Sequence, residues 1–78
     1  MRFEYSATGG ALYLRLEPGT VAKSVEVAEM VFIDVDVSGQ PLGVEFVDAG
    51  AFLPFLERHD GALDVPYDLA VLAARQSD

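Results

Sequence analysis

Val31-Phe32-Ile33-Asp34-Val35-Asp36-Val37-Ser38-Gly39-Gln40-Pro41-Leu42-Gly43-Val44-Glu45-Phe46-Val47-Asp48 is the stretch that decides the fold of this 78-residue chain. Val31, Ile33, Val35 and Val37 alternate with Phe32, Asp34 and Asp36, the period of a strand with one buried face. Ser38-Gly39 reads as a two-residue turn. Gln40 to Asp48 then returns with Leu42, Val44 and Phe46 on one side and Gly43, Glu45 and Val47 on the other. If Val37 faces Gln40, then Val35 meets Leu42, Ile33 meets Val44 and Val31 meets Phe46. A one-residue slip would turn one whole set of side chains to the wrong face, so the pattern specifies the hairpin strongly.

The same period runs upstream. Arg2 to Tyr5 places Phe3 and Tyr5 on one face, and Thr8-Gly9-Gly10 supplies turn residues. Ala11 to Leu16 follows, with Leu12, Leu14 and Leu16 opposite Tyr13 and Arg15. Glu17-Pro18-Gly19-Thr20 matches a type II turn, with proline second and glycine third. In Val21 to Ala28 the residues Val21, Lys23, Val25 and Val27 share one side and Ser24 and Glu26 the other, so Lys23 is expected at the sheet margin. Glu29-Met30 divides this run from the next, because the two together exceed an ordinary strand. Successive strands joined by tight turns predict a β-meander.

Beyond Asp48 the period lengthens. Phe52, Phe55 and Leu56 lie along one side of a short helix that Asp48 can cap. Pro54 is tolerated only in its first turn, so the helix starts near Phe52 or Leu53, and His59-Asp60-Gly61 ends it. A second helix is expected from about Pro66 to Arg75, with Asp64 as a cap candidate and Leu69, Leu72 and Ala73 as its apolar stripe. Gln76-Ser77-Asp78 is expected to fray. The fold class that follows is α+β: an antiparallel β-meander of four to five strands with two short C-terminal helices packed on one face. The expected organisation is a single domain over 1–78, with the meander in 1–49 and the helical part in 50–78.

Composition narrows the function classes. Thirteen acidic residues against five basic ones give a net charge of −8, and no Lys/Arg cluster exists to attract phosphates, so nucleic acid is disfavoured as a partner. With no cysteine there is no disulfide framework, no Cys-ligated zinc and no thiol nucleophile. The longest apolar stretches fall far short of the roughly 20 residues of a membrane span. Met1-Arg2-Phe3-Glu4-Tyr5 alternates in polarity, unlike a secretory signal, and the chain is read as cytoplasmic. A chain this short buries only about 60% of its unfolded surface, so a partner subunit would add usefully to its stability.

Asp34 and Asp36 share a strand face, and Glu45 lies diagonal to Asp34 on the paired strand, which makes these three the candidate ligands of a divalent cation. An ordinary solvated face explains the same acids, and the segment lacks the terminal glutamate of an EF-hand loop. Tyr13, Arg15 and Phe32 project from the same face if all strands share one core side. Together with Asp34, Asp36 and Glu45 they form a candidate interaction surface. His59 sits at a helix end, where the dipole favours an imidazolium, and no hydroxyl can be placed beside it as a nucleophile. Thr8-Gly9-Gly10 lacks the Lys-Ser/Thr of a phosphate loop. The reading is therefore non-enzymatic, without catalytic residues or cofactor: a protein-binding or self-associating module. Its expected partners are a second copy of the chain or a small basic protein. Metal or small-ligand binding through the acidic face is the alternative.

One resemblance bears on this. Phe3-Glu4-Tyr5, Gly10-Ala11-Leu12-Tyr13-Leu14-Arg15-Leu16, Val31-Phe32-Ile33-Asp34-Val35-Asp36 and Gly39-Gln40-Pro41-Leu42-Gly43-Val44-Glu45-Phe46-Val47-Asp48-Ala49 resemble, in order and spacing, domain of unknown function 2283, the YuzE-like family of small bacterial proteins. The resemblance covers about residues 3 to 49. It implies a meander sheet with a helix packed against it and no established biochemical activity. Some members are encoded beside small toxin-like proteins, which implies an antitoxin-like role. The family's aspartate-rich first turn is replaced here by Ser6-Ala7-Thr8-Gly9-Gly10, so no role for acids in that turn carries over.

Overall fold

The alternating segments become five strands in a computed structural model that describes residues 1–76. They are β1 (Arg2–Tyr5), β2 (Leu12–Arg15), β3 (Lys23–Ala28), β4 (Val31–Val35) and β5 (Pro41–Phe46). A 3₁₀ turn (Ala49–Ala51) leads into α1 (Phe52–Glu57), and α2 (Tyr67–Gln76) follows. The α+β class, the antiparallel sheet and the two C-terminal helices agree with the sequence reading. Of the residues expected to fray, Gln76 ends α2, whereas Ser77 and Asp78 lie outside the described residues.

The connectivity is not a meander. The strand order is β1-β2-β5-β4-β3, so β3, β4 and β5 form consecutive hairpins and β2 lies beside β5. This is a Greek key traced from its C-terminal end. In a meander, β2 would have set its leucines against a strand whose core side includes the exposed Lys23. Beside β5, Leu12 instead faces Phe46 and Leu14 faces Val44. The Pro18-Gly19 segment is accordingly a crossing connection and not a hairpin turn. The Leu16 amide donates to the Leu42 carbonyl at 2.9 Å, and the Ala22 amide donates to the Val35 carbonyl at 2.8 Å, so the chain passes from β5 to the outer side of β4. Gly19 makes room for Leu42 beneath it: a Cβ at residue 19 would lie 3.0 Å from Leu42 Cδ2.

The β4–β5 register keeps Val31 opposite Phe46 and Ile33 opposite Val44, as the pattern requires. An irregularity between Asp34 and Val35 then places Val35 opposite Pro41 instead of Leu42. The turn is longer than expected. Asp36 and Gln40 close it, with the Asp36 amide donating to the Gln40 carbonyl at 3.0 Å, and Gly39 takes φ 89°. Val37 therefore belongs to the turn and is 94% exposed, where alternation had placed it on the core face. β3 is shorter than the expected strand, and its pairing with β4 shifts between Glu26 and Ala28.

Both helices cover the face that carries Leu14, Val25, Val31, Ile33, Val35, Val44 and Phe46, closing the core with Phe55, Leu69 and Ala73. The Phe46 ring meets Phe52 and Phe55 edge-on, at centroid distances of 5.2 and 5.7 Å. Asp48 caps the 3₁₀ turn that leads into α1, its carboxylate accepting from the Gly50 amide at 2.8 Å, whereas α1 itself begins after Ala51 without a side-chain cap. At the other helix the roles are reversed from expectation: the Asp68 carboxylate accepts from the Asp64 amide at 2.9 Å. No helix among the described residues is long and apolar enough to cross a membrane.

Candidate functional site

The sheet face away from the helices carries the residues of opposite parity, and pairing across the strands sets them in two rows. One row runs Arg2, Arg15, Gly43, Asp34, Ser24, and the other runs Glu4, Tyr13, Glu45, Phe32, Glu26. Five of the six residues singled out from sequence thus share this face: Tyr13, Arg15, Phe32, Asp34 and Glu45. Asp36 does not join them. It lies past the end of β4, and its Oδ1 accepts from the Ser38 hydroxyl at 2.7 Å and from the Ser38 and Gln40 amides at 2.9 Å each. The Ser38 hydroxyl first, and the Gln40 amide after it, hold the Asp36 carboxyl below the ordinary aspartate value. It is a turn-closing residue.

Asp34 is occupied as well. Its Oδ2 accepts from the Tyr13 hydroxyl at 2.9 Å and its Oδ1 accepts from Ser24. Arg15 Nη2 donates to Glu4 Oε1 at 3.1 Å, and Arg2 approaches Glu4 Oε2 at 3.4 Å. The Arg15 guanidinium also lies 5.3 Å from the centroid of the Tyr13 ring. Burial pushes the Tyr13 hydroxyl up to about 12, assisted by its hydrogen bond to Asp34 and by the charge of that carboxylate. Tyr13 thus keeps its proton, and its bond to Asp34, to higher pH than an ordinary phenol.

The metal alternative loses its geometry here. Asp34, Asp36 and Glu45 do not converge, and among the described residues no group of three His, Asp or Glu side chains is placed to hold an ion. His59 packs against Phe55, ring centroids 4.8 Å apart, at the end of α1. Phe32 has a different setting. It is half-buried on the uncovered face, with Glu26 opposite it on β3 and Glu45 opposite it on β5.

Sequence reading missed three contributors: Glu4, Ser24 and Gly43. Ser24 could have been found from the β3–β4 pairing, which sets it opposite Asp34. Gly43 could not, because its role depends on Tyr13 reaching over it from a strand whose neighbour alternation does not identify.

Residues 2–49, more than half of the chain, match the family model described as Protein of unknown function (DUF2283). No curated protein and no solved structure matches the chain.

Proposed function

We propose, for a chain that belongs to the DUF2283 family of proteins of unknown function, a non-enzymatic role: a binding module whose uncovered sheet face takes a basic segment of a partner protein. The observation that carries this reading is Phe32 flanked by Glu26 and Glu45. A lysine or arginine laid across that ring would place its stem on the aromatic face and its charge between two carboxylates. The chain's net charge of −8 would steer such a segment toward it. A Tyr13 hydroxyl that donates to Asp34 and an Asp34 bonded through both its oxygens fit a binding face better than a catalytic one. An antitoxin-like role is the narrower form of this reading, with a small basic toxin-like protein as the partner.

Titration with an arginine-rich peptide, beside a glutamate-rich peptide of equal length, tests it. The basic peptide should bind, more weakly as salt rises, and Phe32→Ala should weaken it roughly fivefold or more, the scale of a ~1–2 kcal/mol cation–π contact. Equal binding of both peptides, or binding unchanged in Phe32→Ala and in the Glu26→Gln/Glu45→Gln double variant, would sink the reading.

A further inference from the structure

The helices cover β1 only in part: Phe52 of α1 meets the Phe3 ring edge-on at 6.0 Å between centroids. Phe3 and Tyr5 belong to the core face by alternation, opposite Leu14 and Leu12, yet they are 53% and 63% exposed, and Met1 beside them is 81% exposed. An apolar cleft of about 130 Å³, lined by Met1, Phe3, Phe52, Leu63 and Val65 among others, opens alongside. β1 is also the terminal strand of the sheet, so among the described residues its outer edge has no strand partner. The Ser6 amide donates to the Ala11 carbonyl at 2.9 Å, one step beyond the β1–β2 pairs. Adjacent residues of an antiparallel strand turn their backbone groups to opposite edges, so Arg2 and Glu4 bond toward β2. Phe3 and Tyr5 present their N–H and C=O groups to the free edge.

The opposite edge of the sheet is protected where β1 is not. β3 carries Lys23 and an irregularity between Glu26 and Ala28, and α2 packs against it. Charge and a break in the ladder are ordinary means of blunting an edge strand. β1 pairs regularly along its whole length and exposes apolar side chains beside its free backbone groups.

We propose that this edge is covered by a second copy of the same chain, β1 pairing antiparallel with β1 about a two-fold axis at Phe3. The strand is self-complementary about that residue. Phe3 would face the partner's Phe3, Arg2 would face the partner's Glu4, and Met1 would face the partner's Tyr5, so apolar residues meet on the helix side and opposite charges on the other. The two neighbouring registers that also keep the faces aligned set Glu4 against the partner's Glu4 or Arg2 against the partner's Arg2, like-charge pairs that disfavour both. The dimer joins two five-stranded sheets into one and leaves Phe32, Glu26 and Glu45 uncovered, so it stands apart from the basic-partner reading.

A strand of four residues buries less than a standard interface, so the dimer forms and dissociates with concentration. Sedimentation equilibrium of the full chain, from ~5 µM to ~1 mM, should show the mass rising from the 8.4 kDa monomer toward twice that value, in the range expected for a small interface. Arg2→Glu and Glu4→Arg each put like charges across the axis and should each hold the chain monomeric. An equimolar mixture of the two should dimerise again, which also shows that both remain folded. The double variant R2E/E4R should dimerise like the unmodified chain, whereas the Glu4–Glu4 register keeps one like-charge pair in every variant and would respond to neither single reversal. A monomer throughout the range overturns the proposal. So does a dimer indifferent to both single reversals, or a double variant that stays monomeric.

Discussion

The Tyr13 hydroxyl donates to Asp34 Oδ2 at 2.9 Å, and the bond runs from β2 to β4 over the strand that separates them. Gly43 on β5 lets it pass. A Cβ at that residue would overlap the Tyr13 hydroxyl and lie 2.8 Å from its Cε2. A donor, an acceptor and an absent side chain, on three different strands, together shape the centre of the uncovered face.

Gly43→Ala should therefore expel the Tyr13 ring and break the bond to Asp34, lowering stability by roughly 1–3 kcal/mol, the usual range for overpacking. In a Tyr13→Ala background the same substitution should cost little, since nothing remains to collide. Urea unfolding of the four proteins of this cycle measures the coupling, and additive costs would show that Gly43 is not there for Tyr13.

The raised value of Tyr13 has a sign in the stability curve. In the unfolded chain the phenol ionises near its ordinary pH of about 10, and in the folded chain it holds its proton up to about 12. Its contribution is fully present below pH 10 and is lost as the pH rises toward 12. In a Tyr5→Phe/Tyr67→Phe protein, the 295 nm absorbance should report Tyr13 alone, titrating well above pH 10. Asp34→Asn should bring that titration down, by removing the carboxylate charge.

Asp36 works at the other end of the scale. Its carboxyl is held low chiefly by the Ser38 hydroxyl, so the contribution of this turn is present above the ordinary aspartate value of about 4 and is lost as the pH falls through the lowered folded value. Ser38→Ala should raise the titration midpoint of the Asp36 carboxyl, followed by its carbon chemical shift. A midpoint that does not move would assign the depression to the backbone amides instead.

The turn geometry separates two residues that the pattern of alternation treats alike. Ile33 is fully buried and Val37 is 94% exposed. Ile33→Ala should cost about 2–5 kcal/mol, a large part of the roughly 4–12 kcal/mol expected for a chain of this length. Val37→Ala should stay within about 0.5 kcal/mol. Thermal and urea unfolding of both variants checks the difference.

Much of this was legible from residue order, and the reasons are local. Val31, Ile33, Val44 and Phe46 announce a buried strand face by their spacing, and they pair as that spacing requires. Phe55, Leu69 and Ala73 mark the buried sides of the two helices for the same reason. The reading failed where alternation was carried into a turn. Val37 continues the period in sequence, but Asp36 folds the chain back through three bonds to its carboxylate, so neither residue extends the strand. The candidate site was legible as a face and not as a network. Parity placed Tyr13, Phe32, Asp34 and Glu45 together, while the partners of Tyr13 and Asp34 depended on which strands are neighbours.

What the sequence determined by itself is the set of strands, the face each side chain takes within them and the apolar stripes of the helices, because a period of two or of 3.6 residues is written into consecutive positions. The tertiary structure decided which strand occupies the second edge of β5. Alternation says that Leu12 and Leu14 must be buried and is silent on what they are buried against. Pairing them with Phe46 and Val44 made the sheet a Greek key, brought Tyr13 within reach of Asp34 and left β1 at the margin with Phe3 and Tyr5 exposed. Each of these follows from contacts between residues distant in sequence, which local periodicity does not encode.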